Sequence, residues 1–261
     1  MNIGREIIKK IVYTFFGKKN YQKAYIKGKI KDIKNGVLDE KESTFLSHFI
    51  NDYSTVLDIG ANYGHYSVDM SKLCSKGKIY SFEPVPFTFQ VLSKILNHFN
   101  LNDIELFNSA VSNQKGSVKM TVPVLDFGAP NTGVAYIGDN TSEKYLTVDV
   151  ETLKIDDLKI EGKLDFIKID IEGHEPSAFI GMKATLKKHK PVILIEFSFS
   201  CLRRAGLNPN EFSDEIKNNY GYTFTNIHGK NLQVVKDQYP SDGYYFLIPN
   251  EKLDDFKTIL K

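Results

Sequence analysis

The stretch IKIDIEGHEPSAF, residues 167–179, places Asp170, Glu172, His174 and Glu175 within six positions at the end of an apolar run, the densest cluster of ionisable groups in the chain. Acids beside an imidazole of near-neutral pKa can take a proton from a hydroxyl as it attacks an electrophile. Side chains alternate along a strand, so Asp170 and Glu172 project to the same side, and His174 joins them if the backbone stays extended through Gly173. A second acid, Glu196, closes the apolar run PVILIEF, residues 191–197, and could face the same space. Used differently, Asp170 and Glu172 could hold a hard divalent ion such as Mg²⁺ that polarises the hydroxyl; no residue set is assigned to a metal.

A second group lies upstream. VLDIGANYGHYS carries Asp58, Gly60 and Gly64 at the end of one apolar run, and Glu83 closes the next, KIYSFEP at residues 78–84. Two successive strands that end in acids at one edge describe a nucleotide-binding crevice, because ligands of open α/β sheets sit outside the carboxyl ends of the strands. A dinucleotide turn needs three glycines as G-x-G-x-x-G to bring backbone against a pyrophosphate. Here there are two, with the carboxylate of Asp58 beside them, which suits a ligand bearing an ammonium group better than an anion. Glu83 is placed to accept hydrogen bonds from ribose hydroxyls. An amino-acid-bearing nucleoside answers both demands, and S-adenosylmethionine is the expected cofactor. Its sulfonium methyl is already electrophilic, so transfer to oxygen asks mainly for alignment of the acceptor and a base for its proton.

The elements that must position these groups alternate along the chain. Strands are expected at 55–60, 78–83, 104–112, 164–171 and 191–197, with helices at 65–74, 86–99 and from Pro176 to about His189. Pro86 and Pro176 suit the first turn of a helix. A short helix over 39–50 puts Phe45, Leu46, Phe49 and Ile50 on one face. The alternation implies a mostly parallel, doubly wound α/β sheet with right-handed crossovers. Between the third and fourth strands the crossover helix is replaced by an insertion, about 114–160, with β-rich pieces at 117–124 and 144–153 around a Gly- and Asn-rich segment. It is the candidate for acceptor recognition. Short strands near 222–227 and 243–248 are expected to form an antiparallel hairpin at the sheet edge.

Composition sets the outer bounds. The 261 residues are 41% hydrophobic and 25% charged, as expected of a globular chain. Cys74 and Cys201 lie far apart, which indicates neither a disulfide framework nor a zinc site and favours a reducing, cytoplasmic setting. The net charge of +2 is unevenly spread. Residues 1–34 hold Arg5 and nine lysines against Glu6 and Asp32, leaving the remainder six charges negative. This basic helical segment, placed at 1–45, precedes a main domain at 46–261. Its start, IIKKIVYTFFGKK, is too short and too charged to span a bilayer and is not patterned as a signal peptide. It reads either as a helix packed on the domain or as a peripheral contact with the inner face of a membrane.

VLDIGANYGHYS, YSFEPVPFTFQVL, NSAVSN, VETLKIDDL and FIKIDIEGHEPSAF together resemble the FkbM family of S-adenosylmethionine-dependent methyltransferases, over about residues 53–198 and in a consistent order. The resemblance implies a Rossmann-like class I methyltransferase fold, with a mostly parallel seven-stranded sheet and an antiparallel C-terminal edge. It also implies O-methylation of a carbohydrate or glycosylated acceptor. Carried across, Asp58, Gly60, Ala61, Asn62 and Gly64 hold the amino-acid part of the cofactor, Glu83 and Pro84 border its ribose, and Asn108 and Ala110 its adenine. Asp170, Glu172 and His174 fall on the signature beneath the transferred methyl, with Asp170 also touching the cofactor and His174 preferred as base. Competing readings are a nicotinamide oxidoreductase, opposed by Asp58 and the missing glycine; a silent cofactor-binding scaffold; a methyltransferase for a non-sugar acceptor; and one for nucleic acid. The last is opposed by the absence of an N-P-P-Y-like motif and of a broad basic channel, so no nucleic-acid partner is expected.

Overall fold

The computed structural model describes residues 3–37, 41–140, 142, 144–160 and 162–261, and of residues 3–6 and 8 the backbone alone. Residues 39 and 40 of the expected 39–50 helix fall outside them. Twelve strands are described: β1 Thr55–Ile59, β2 Lys78–Phe82, β3 Glu105–Phe107, β4 Ser109–Val111, β5 Gly116–Pro123, β6 Tyr136–Ile137, β7 Tyr145–Leu153, β8 Leu164–Ile169, β9 Val192–Phe197, β10 Tyr222–His228, β11 Asn231–Val234 and β12 Gly243–Pro249. The helices are α1 Ile3–Lys34, α2 His65–Leu73, α3 Pro86–His98, α4 Glu175–Gly181, α5 Lys183–His189, α6 Phe199–Arg204 and α7 Pro209–Asp214.

The main sheet runs β11-β10-β12-β9-β8-β1-β2-β3. Its β3-β2-β1-β8-β9 part is parallel, and β12, β10 and β11 are antiparallel. Strand order reverses between β1 and β8, the switch point at which Rossmann-like sheets open a crevice. The sheet has eight strands rather than seven. The extra one is β11, which pairs with β10 and takes the edge position, while β12 lies inside between β9 and β10. The expected third strand is two strands in two sheets. β3 ends at Phe107, and after Asn108 the chain enters β4, which pairs in parallel with β7 in a separate sheet of order β4-β7-β5-β6. The insertion is thus a second layer that begins one residue from the end of the first. The expected 176–189 helix divides into α4 and α5 at Met182.

Both faces of the main sheet are covered, which is why its central strands are apolar on both sides. On one face the 3₁₀ segment Lys41–His48 and the residues after it press Phe45, Leu46, Phe49 and Ile50 against Val56, Phe166 and Phe246. On the other, Phe179, Leu186, Phe212 and Ile216 pack against Leu57, Ile167 and Ile193. The later part of α1 joins the fold through Ile26 and Ile33, which meet Val91, Leu92 and Ile95 around α3. Helix α1 breaks at Gly17, whose φ of 75° and ψ of 171° are not helical.

The switch point depends on one close approach. The carbonyl of Ile59 accepts from the amide of Asp170 at 3.1 Å, joining the ends of β1 and β8. Just beyond, a Cβ on Gly60 would lie 2.0 Å from the Asp170 carbonyl oxygen, and Gly60 has a φ of +81°. Contact and dihedral both demand glycine there. Gly60→Ala is expected to destabilise the protein by about 2–4 kcal/mol, read as a drop in the urea midpoint; an unchanged midpoint would show that the two loops separate at little cost.

Candidate active site

A crevice of about 920 Å³, counting space open to solvent, lies over the carboxyl ends of β1, β2 and β8 and under the insertion. Gly60, Ala61, Asn62, Glu83, Pro84 and Ala110 line it on one side, and Asp170, Glu172 and His174 on another. Thr132, Gly133, Ala135 and Ile137 of the insertion add a wall. Three expected residues stand differently. Asp58 lies behind the wall, Asn108 ties the wall together, and Gly64 supports the turn from below with a φ of +90°.

Asp58 is fully buried and accepts a hydrogen bond from Ser67 Oγ at 2.5 Å. Opposite it in the β1–β8 register stands Lys168, itself only 3% exposed. The Lys168 Nζ donates to the Gly60 carbonyl at 2.8 Å and lies 3.8 Å from Asp58 and 3.6 Å from Asp170. The ammonium expected beside Asp58 is therefore supplied from within the protein. Burial pushes the Asp58 carboxyl above its usual range, and Lys168 and Ser67 pull against that. Lys168 was not singled out from the sequence, although a lysine inside the apolar run LDFIKIDI, two positions before Asp170 and so on its side of the strand, is the signal that could have found it.

Glu83 is held at the end of β2 by two backbone donors: Asn62 N to Oε2 at 3.0 Å and Val85 N to Oε1 at 2.9 Å. A carboxylate has about four acceptor sites, so two stay open toward the crevice. Burial pushes its pKa up to about 7, against those two bonds. The Asn108 side chain donates to the carbonyls of Glu83 and Pro84 at 2.8 and 2.9 Å, fixing the turn between β2 and α3. Asn62 sits at a φ of 50°, and its Oδ1 is buried without a hydrogen-bond partner among the described residues.

The acids after β8 do not continue along one side of an extended strand, although Asp170 and Glu172 both line the crevice and both raise Glu196. Strand geometry ends at Ile169, and Glu172 and Gly173 take left-handed φ values of 57° and 100°, so the chain turns instead of staying extended. Asp170 keeps to the strand side, where Tyr244 OH donates to it at 3.0 Å. Glu196 joins it: burial, then the Asp170 charge and a hydrogen bond between the two acids, push Glu196 up to about 8. Glu172 is drawn away toward α6, taking a hydrogen bond from Cys201 Sγ at 3.0 Å and lying 3.4 Å from Arg204 Nη2. Arg204 in turn lies 4.1 Å over the Tyr136 ring of the insertion. The turn is organised by the buried Glu175, whose Oε1 accepts from the amides of Ile171 and Gly173 at 3.1 and 3.3 Å, while burial raises its pKa to about 7. A divalent ion shared by Asp170 and Glu172 finds no support in this arrangement. Among the described residues, no three His, Cys, Asp or Glu side chains are grouped to hold a metal.

His174 comes out of the turn as the cap of α4, at the crevice wall. Its Nε2 lies 2.9 Å from Ser112 Oγ. Which of the two donates depends on the imidazole tautomer, and Ser112 Oγ also lies 3.4 Å from Asn113 Oδ1. Burial lowers the His174 pKa to about 4. The imidazole is neutral throughout the physiological range.

Removing the Lys168 ammonium strands Asp58 in a dry interior. Lys168→Met is expected to cost about 3–5 kcal/mol, and adding Asp58→Asn to recover part of that loss, read from denaturant midpoints. Equal midpoints for the single and double variants would mean that the two groups are not energetically linked.

Comparison with known proteins bears on this site. The Methyltransferase FkbM domain matches residues 58–224, which include both groups of crevice residues. Over 154 residues the chain is 27% identical to methyltransferase sdnD of Sordaria araneosa, a match covering 49% of this chain and 60% of that protein. Among solved structures it is similar to methyltransferase FkbM of Methylobacillus flagellatus KT, 17% identical, covering 76% of this chain and 44% of that one with a TM-score of 0.46. It is also similar to a SAM-dependent methyltransferase of Aquifex aeolicus, 18% identical, covering 84% and 98% with a TM-score of 0.42. The chain thus spans less than two thirds of the first two relatives. With a family match over more than half its length, running through the switch point and the turn after β8, this chain belongs to the FkbM methyltransferase family.

Proposed function

We propose that this protein transfers a methyl group from S-adenosylmethionine to a hydroxyl oxygen of a carbohydrate or glycosylated acceptor. The observation that carries the reading is His174: an imidazole kept neutral by burial at the crevice wall, with Nε2 2.9 Å from Ser112 Oγ. The crevice residues suit the cofactor. Asn62 Oδ1 is an acceptor with no protein donor among the described residues, and the open acceptor sites of Glu83 match a pair of ribose hydroxyls. Ala110 and Val111 offer apolar surface for an adenine ring. When bound, the cofactor supplies the electrophilic methyl.

The remaining work falls to the protein. An alcohol oxygen gaining a methyl group becomes a strong acid, so a base of pKa about 4 suffices to take its proton. Asp170, sharing a proton with Glu196, holds Tyr244 and Lys168 in place at the end of β8. Glu172, tied to Arg204 and through it to Tyr136, connects the insertion to the catalytic turn, which gives the insertion a part in choosing the acceptor.

Calorimetric titration with S-adenosylhomocysteine should give micromolar binding, weakened about tenfold or more in Glu83→Ala and less in Glu83→Gln. Absence of binding by the unmodified protein would overturn the cofactor assignment. His174→Ala should keep that affinity and lose about 10²-fold or more in turnover of sugar acceptors. Because His174 serves unprotonated and its pKa is lowered, the acidic limb of kcat/KM for the acceptor, measured with S-adenosylmethionine saturating so that protonation of Glu83 does not limit cofactor binding, should fall near pH 4 rather than near 6.5. A limb near 6.5, or normal turnover by His174→Ala, removes His174 as the base.

A further inference from the structure

We propose that the first half of α1 is a docking helix for an anionic phospholipid surface. Tyr13 marks the side that faces the protein: its OH donates to the Gly128 carbonyl at 2.9 Å, and its ring meets Tyr21 and Phe127 edge-on. At 3.6 residues per turn, Ile7, Ile11 and Phe15, spaced four apart, run along the opposite side. They are 54%, 45% and 79% exposed, and Phe16 beside them is 62% exposed. Four large apolar side chains in ten positions is an unusual surface for water. Exposed Lys10 flanks the stripe, and exposed Lys18 and Lys19 follow just past the break at Gly17.

The break at Gly17 separates this half from the part of α1 that packs on α3, and a Cβ there would meet nothing within 4 Å. The break is therefore not forced by crowding. It sets the orientation of a short amphipathic rod independently of the helix that anchors it. Among the described residues no helix is long and apolar enough to cross a membrane. A helix with an apolar stripe and a basic border instead lies in the interface, apolar face inward and lysines reaching to the headgroups.

Charge selects the occupant. The docking half, residues 1–16, carries Arg5, Lys9 and Lys10 against Glu6, Lys18 and Lys19 follow just past the break, and residues 35–261 are six negative. A second copy seated on this face would bring two such basic helices together, and a nucleic acid would leave Ile7 and Ile11 in water. An anionic bilayer satisfies both the lysines and the apolar stripe. The helix is also tied to the crevice: Tyr13 sits on Gly128, four residues before Thr132, which lines it. The inference does not depend on which cofactor or acceptor the crevice takes.

The chain contains no tryptophan, so Phe15→Trp in the full-length protein gives a single reporter. Its emission should shift to the blue with vesicles of phosphatidylcholine and phosphatidylserine, and much less with phosphatidylcholine alone. In sedimentation with the same vesicles, Ile11→Ser/Phe15→Ser should weaken partition about tenfold or more while leaving the circular dichroism spectrum unchanged. Four results would overturn the proposal: no association, association unaffected by the double substitution, equal association with neutral vesicles, or a solution dimer that the double substitution makes monomeric.

Discussion

A single ammonium group holds the switch point of this sheet together. Lys168 is buried next to the carboxyl end of β8, and its Nζ reaches the carbonyl of Gly60 as well as the carboxylates of Asp58 and Asp170. That carbonyl and both carboxylates belong to the edge where β1 and β8 part, and the ammonium also lies 5.4 Å from the centre of the Tyr66 ring of α2. A charge taken so far from water is tolerated only when its partners are arranged around it, and here those partners are the residues that end the two strands. The closeness of Gly60 to Asp170 and the placement of the turn after β1 share this arrangement. Burial of an ion pair gives little net stability; what it gives here is a fixed spacing between two loops whose separation defines the crevice.

Above that edge, each wall is held by a group that does not itself reach the open space. Glu175 gathers two amides and so bends the chain at Glu172 and Gly173, which sends Glu172 to α6 and His174 to Ser112. Asn108 performs the same service for the turn after β2 by taking two carbonyls. Glu175 is buried while Asn108 is exposed, and the residues around them are left with unspent acceptors: two sites on Glu83 and Oδ1 of Asn62. A pocket with acceptors to spare is suited to a ligand rich in hydroxyl and amino donors.

Much of this was legible in the sequence because it follows from period and punctuation. Apolar runs closed by Asp58, Glu83 and Asp170 gave the order of the parallel strands, and Pro86 and Pro176 marked helix starts that the structure places at or within one residue of them. The failures have local causes. Asp170 and Glu172 were expected on one side because alternation was carried past Ile169, where two left-handed residues end it. The third strand was read as continuous because nothing in IELFNSAVS announces that Asn108 is spent on two carbonyls and the chain changes sheets there. Lys168 was passed over because a lysine in an apolar run looks like an interruption, and only the register opposite Asp58 makes it a partner. β11, four residues at an edge, has too short a pattern to register.

The change of sheets at Asn108 has a consequence for how this scaffold can vary. The crevice-lining Ala110 and Val111 sit in β4, whose register is set by its parallel pairing with the end of β7, next to the anchored edge. The opposite end of the same ladder, where β5 meets β6 and β7 begins, carries Met120, Ile137 and the loop through Thr132. Residues can be added to or removed from that distal end without altering the pairing at Ala110. One end of the small sheet behaves as a fixed hinge plate and the other as an interchangeable cover, so a lineage could exchange what the cover admits while inheriting the frame beneath it intact.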